Sequence, residues 1–122
     1  MKDDKSTAFK ICSLNCNGLN DFKKRKDMFE YLRQQESNIY LLQETHLPYC
    51  QENFIRSNRG YSVWLAGKDT NRNGVAILFT NNFEYKVHNV IRDPDGQYIL
   101  LDIEFLKKRI TLELMDAFIY IL

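Results

Sequence analysis

Two short apolar runs separated by one helix-length amphipathic segment constrain this chain more than any other feature. The first run, "AFKICSLN" (8–15), reads as a strand buried on both faces, and Asn17-Gly18 marks its end. From Asp21 the pattern becomes helical: Phe22, Met28, Phe29 and Leu32 fall near one face, Asn20 or Asp21 suits the N-cap, and the helix is expected to end near Ser37. The second run, "NIYLLQE" (38–44), is again short and apolar. Strand, helix and strand have the length of a right-handed crossover between parallel strands. Such a unit brings Asn15, Asn17 and Glu44 to one sheet edge, where open α/β sheets gather their ligands.

Beyond a loop around Pro48 and a helical turn at "QENFIRS", the runs "YSVWLA" (61–66) and "GVAILFT" (74–80) read as strands. "EYKVHNVIRD" and "QYILLDIEF" flank Asp93-Pro94-Asp95-Gly96, whose Pro and Gly suit a type I turn. A further turn at Lys107-Lys108 leads into "RITLELM", so the last third reads as an antiparallel meander. The chain shows no repeat, linker or low-complexity stretch, and its 122 residues suit one domain.

With 17 basic and 16 acidic residues, a nucleic-acid footprint can only be local. "FKKRKD" is one candidate, placing Lys23, Lys24, Arg25 and Lys26 in the first turns of the helix. Cations there oppose the macrodipole, a small cost that bound phosphates would offset. Arg72, in the loop "KDTNRNG", is another candidate, whereas Lys107-Lys108-Arg109 is most simply an exposed turn. Three cysteines, an odd number, and a start "MKDDKSTA" with no apolar core lead to the expectation of a reduced, intracellular setting, nuclear or cytoplasmic. The apolar "DAFIYIL" is too short to cross a bilayer.

A carboxylate beside neutral amide oxygens suits a hard cation such as Mg²⁺, which keeps several waters and takes one or two carboxylates plus a substrate phosphate. The plain alternative is that Asn15 and Asn17 only turn the chain and that Glu44 is a solvated strand end. Zinc competes through Cys12, Cys16, His46 and Cys50. A fully extended chain would hold Cys12 and Cys16 about 13 Å apart, too far for one tetrahedral ion, and small apolar cysteines of a strand are the simpler reading. His88 reads as a packed or exposed strand residue.

Taken in order, "SLNCNGL", "YLLQETHL", "NGVAILF" and "RDPDGQYILLDI" resemble the endonuclease/exonuclease/phosphatase family, and most of all the endonuclease domain of LINE-type retrotransposons. The resemblance runs from about Phe9 to Leu112. It implies an α/β fold, a two-sheet sandwich of the DNase I-like type with helices outside. It also implies Glu44 as the divalent-metal ligand and Asn15 as a group that holds the attacking water or the scissile phosphate. Asn17 falls where relatives with Asp contribute to the metal site. The cofactor implied is Mg²⁺, with Mn²⁺ as the alternative, the reaction is phosphodiester hydrolysis, and the substrate is DNA. On local charge, Lys23, Lys24 and Arg72 are the residues expected to contact it, the plain alternatives being a solvated helix face and a polar hairpin loop.

After Leu112 the family continues into Asn-x-Tyr, Gly-Asp-Phe-Asn and Ser-Asp-His blocks, the last holding the Asp-His pair. This sequence reads "ELMDAFIYIL" instead. Tyr120 lacks the surroundings of the family's tyrosine, and His46 belongs to the Gln-Glu-Thr-His stretch rather than to the base position, so no catalytic base is assigned. The expected organisation is a tail at 1–8, the N-terminal half of the domain at 9–112, and a divergent apolar end at 113–122. An incomplete sandwich is expected, a truncated or degenerate copy that leaves the other sheet to the second half and is either incompletely folded or dependent on a partner chain that supplies it. A DNA-binding remnant without hydrolysis is the alternative.

Overall fold

The computed structural model describes residues 9–68, 72–116 and 119–121; the tail expected at 1–8 lies outside the described residues. Strand β1 (Ile11–Asn15), helix α1 (Phe22–Gln35) and strand β2 (Ile39–Gln43) form the expected crossover. β1 and β2 pair in parallel, from Ile11 opposite Ile39 to Asn15 opposite Gln43. Asp21 caps α1, its carboxylate accepting the Lys24 backbone N–H at 2.9 Å. The helix ends at Gln35, two residues before the expected limit, because Glu36 takes the left-handed conformation. Met28, Phe29 and Leu32 are buried as their spacing requires, but Phe22, in the first turn, is 69% exposed and lies outside the core.

A 3-10 turn at Tyr49–Gln51 leads into α2 (Glu52–Arg59), a full helix where a single turn was expected. β3 (Tyr61–Ala66) and β4 (Val75–Thr80) follow and complete a first sheet of order β1-β2-β4-β3. β2 is central, and its near-continuous apolarity serves two layers. Tyr40 and Leu42 pack with Met28, Phe29, Leu32 and Ile55 of the helices, while Ile39 and Leu41 face the other way. β1, by contrast, is an edge strand and only partly buried, not enclosed on both faces as expected. It remains apolar because Cys12 and Leu14 pack on the helix side and Ile11 on the other.

β5 (Lys86–Arg92), β6 (Tyr98–Phe105), β7 (Lys108–Met115) and β8 (Ile119–Ile121) form a second sheet in sequential order. The Asp93–Gly96 turn closes with a Gly96 N–H to Asp93 carbonyl bond of 3.0 Å. The next turn sits one residue earlier than expected, on Leu106 and Lys107, both at positive φ. β8 arises within the end expected only to be divergent, pairing Ile121 with Leu112.

The described residues of both sheets share one interior. Ile39, Leu41, Val75, Ile77 and Phe79 of the first sheet pack on Ile99, Leu101, Ile103, Leu112 and Leu114 of the second, all fully buried. Each such side chain contributes about 2 kcal/mol of burial. The described residues thus supply strands to both sheets, where the second sheet was expected from the other half: the alternation in β6 and β7 offers an apolar face to the first. Both sheets remain open rather than closing into a barrel.

One charged node also spans the layers. The buried Glu52 carboxylate accepts the Leu65 backbone N–H at 2.7 Å and Arg92 Nη2 at 3.1 Å. The Arg92 guanidinium lies 4.8 Å from the Tyr49 ring centroid and 5.6 Å from that of Trp64. Among the described residues no helix is long and apolar enough to cross a membrane.

Candidate active site

Beyond their paired ends, β1 and β2 keep running side by side. Cys16 N–H donates to Gln43 O (2.8 Å), Gly18 N–H to Glu44 O (2.7 Å) and Leu19 N–H to Thr45 O (2.8 Å). On the other flank, Thr45 N–H donates to Gly74 O (3.0 Å), His46 N–H to Asn73 O (2.9 Å) and Gly74 N–H to Gly96 O (2.8 Å). Loops from both sheets therefore converge on the residues that follow β2. Asn17, Glu44, His46 and Asn73 all hold left-handed backbones here, with φ of 51°, 52°, 56° and 60°. Strain of this kind persists where surrounding bonds over-determine the backbone, and it gathers at functional sites.

Glu44 stands at the centre of this edge with its side chain 38% exposed. Its carbonyl accepts from Gly18, and its N–H donates to Asp116 Oδ1 at 3.2 Å. His46 Nε2 lies 3.9 Å from Glu44 Oε1. Asn15 Oδ1 accepts the Asn17 N–H at 3.0 Å, so Asn15 does turn the chain, as the plain alternative held, while standing at the Glu44 edge. The Asn17 carbonyl accepts Lys24 Nζ at 2.7 Å, which fixes a cation beside the turn.

Lys23 is not drawn in: its ammonium pairs with Asp27 at 3.0 Å on the exposed helix surface. Arg72 lines a polar cavity of about 250 Å³ with Lys68, Asn73, Asp95 and Gln97. Asn73 ties that cavity to the Glu44 loop through its bond to His46.

Asp116 and Gln43 were not singled out by sequence. Asp116 follows β7, where a lone acidic residue before an apolar end was the only signal. Its N–H donates to Gln97 O at 2.8 Å, and Gln43 Nε2 donates to the neighbouring Met115 carbonyl at 2.9 Å. Burial, reinforced by the Glu44 charge, pushes the Asp116 carboxyl above its ordinary range, against the opposing pull of the Glu44 N–H and of His46.

Among the described residues no three or more His, Cys, Asp and Glu side chains converge as a metal cage. A hydrated Mg²⁺ does not need one, and the partly exposed Glu44 carboxylate, with the Asp116 carboxylate bonded to its N–H, fits such an ion. Zinc fits less well. Cys12, Cys16, His46 and Cys50 do not gather as a ligand set among the described residues: Cys16 is buried, Cys12 half-buried and Cys50 exposed. His88 bonds Glu104 at 2.7 Å on the second sheet, away from this edge.

No family model matches the chain. Among solved structures, the catalytic domain of human Nocturnin, with a bound sulfate anion, is similar at a TM-score of 0.60 and 16% identity. The likeness covers 86% of this chain and 47% of that one, so the chain spans about half the length of that structure. The fold is a DNase I-like α/β sandwich. In this sandwich the Glu44 edge lies where the crossover ends, the position that the strand-helix-strand pattern marks out in the sequence.

Proposed function

We propose that these residues form the Glu44-bearing part of a Mg²⁺-dependent phosphodiesterase domain, a DNA endonuclease of the LINE-type retrotransposon kind. The observation that carries the proposal is the position of Glu44, held in a left-handed conformation between the Asn15–Gly18 turn and the second sheet. The sequence blocks that resemble the family support the retrotransposon reading. The sulfate in the Nocturnin structure supports an oxyanion ligand for this fold.

In this reading Glu44 holds Mg²⁺, or Mn²⁺, through its carboxylate, and Asn17 contributes weakly. The bound ion would stabilise negative charge on the phosphate and on the leaving oxygen. The Asn15 amide group, whose carbonyl oxygen is engaged by Asn17, donates its N–H to a phosphate oxygen or orients the attacking water. Lys24, held at the Asn17 carbonyl, neutralises a neighbouring phosphate, and Arg72 and Lys23 contact the backbone further out.

Proton transfer from the water requires a base that these residues do not assign: His88 is engaged on the second sheet, and His46 lies beside Glu44 outside the family's base position. The 122 residues are therefore proposed to bind cation and DNA without turning over alone, the Asp-His pair coming from further residues of the same protein or of a partner chain. The test is duplex DNA binding by fluorescence anisotropy with and without Mg²⁺, beside a supercoiled-plasmid nicking assay. Mg²⁺-enhanced binding that is lost in Glu44→Gln and weakened by Lys24→Glu is expected. Binding that falls with Lys24→Glu but ignores Mg²⁺ and Glu44→Gln would replace this reading with a non-enzymatic DNA-binding module. Nicking by the parent but not by Glu44→Gln would show a working base within these residues.

A further inference from the structure

We infer that Asp116 is a positioning residue for Glu44, supplying from the second sheet the hydrogen bond that fixes the cation-binding carboxylate; the inference rests on the reading of Glu44 proposed above. Glu44 has a φ of 52°, a conformation its own side chain does not favour. Two bonds from other elements impose it. Gly18 N–H donates to the Glu44 carbonyl, and the Asp116 carboxylate accepts the Glu44 N–H.

Asp116 is itself anchored. Its N–H donates to the carbonyl of Gln97, just before β6, while Gln43, the residue before Glu44, reaches from the first sheet to the Met115 carbonyl. Consecutive residues 43 and 44 are thus clamped to consecutive residues 115 and 116, across 72 residues of sequence.

Asp116 acts through the Glu44 backbone, so its loss should misplace the ligand rather than remove it.

The test is Mg²⁺ titration calorimetry on the full chain, with Glu44 amide exchange followed by NMR, for the parent, Glu44→Gln, Asp116→Ala and Asp116→Asn. Loss of an outer partner of a metal ligand commonly weakens metal binding 10–100-fold, so Asp116→Ala should bind Mg²⁺ about 10-fold more weakly and exchange the Glu44 amide faster. Asp116→Asn, which keeps an acceptor oxygen, should stay within about threefold of the parent. Equal affinity of parent and Asp116→Ala would overturn the role, whatever the change in stability. So would equal weakness of Asp116→Asn and Asp116→Ala, which would make Asp116 a ligand in its own right. A parent that binds no Mg²⁺ while its Glu44 amide stays protected would overturn the cation reading itself, leaving the clamp purely structural.

Discussion

Gly18 lies against the imidazole of His46, so closely that a Cβ on Gly18 would stand 2.7 Å from His46 Nδ1. The glycine of the Asn-x-Asn-Gly stretch therefore serves two needs at once: a φ of +90° and room for the ring beside Glu44. Gly60, at the end of α2, has a φ of +76° but only an ordinary 3.5 Å contact. Alanine at either position incurs backbone strain of about 1–2 kcal/mol, and only at residue 18 is a ring also displaced. Urea unfolding should show Gly18→Ala to be the more destabilised by about 1 kcal/mol, with shifted His46 resonances. Equal losses in the two variants would mean that the imidazole moves aside freely.

The Glu52–Arg92 node predicts an asymmetry between its two partners. Arg92→Ala leaves a buried carboxylate with Arg56, at 3.6 Å, as its remaining ion-pair partner among the described residues, and also removes the stack on Tyr49 and Trp64. Breaking such a pair from one side costs about 3 kcal/mol. Glu52→Gln retains an oxygen for the Leu65 N–H and leaves the guanidinium bonded to the Leu65 carbonyl, so it should cost less than Arg92→Ala. Chemical denaturation of both variants decides it, and a larger loss in Glu52→Gln would contradict the buried-charge account.

Thiol chemistry should rank the cysteines by environment. Cys50 is exposed, Cys12 half-buried, and Cys16 buried with its thiol raised to about 12. Since the thiolate is the reactive form, a native chain at pH 8 should label at Cys50 first and at Cys16 only after unfolding. Rapid native labelling of Cys16, read by mass spectrometry, would show that the β1–α1 turn opens, and would revive a zinc site there.

What the sequence revealed follows from the range over which each signal acts. The crossover was legible because period and capping are local: Asp21 announces α1, and Ile39 to Leu42 announce a strand with work on both faces. The edge position of β1 was not legible, since packing one face on helices and the other on a sheet leaves the same apolar pattern as full enclosure. Nor was the exact position of the turn after β6, expected one residue later, because Leu106 and Lys107 adopt two positive φ values without the usual glycine or asparagine. At the candidate site, Asn15 and Glu44 could be placed together from strand ends alone. Asp116 could not, because its bond to Glu44 depends on two sheets meeting across 72 residues of chain.

Asp102 and Arg109, paired at 2.6 Å between β6 and β7, give the fold a defined dependence on acid. The Arg109 hydrogen bond, aided by the charges of Arg109 and His88, holds the Asp102 carboxyl below its ordinary value of 3.8. A group whose folded value is depressed stabilises fully above its unfolded value and loses that contribution as pH falls through the folded one. Arg109→Gln removes the cause of the depression. Its stability deficit relative to the parent should therefore be constant from pH 7 down to about 5 and shrink as the pH drops below 3.8. Urea melts of both proteins at pH 7, 5 and 3 measure it. A deficit that grows on acidification would require Asp102 to be protonated more readily in the folded chain than in the unfolded one, the reverse of what its bond to Arg109 imposes.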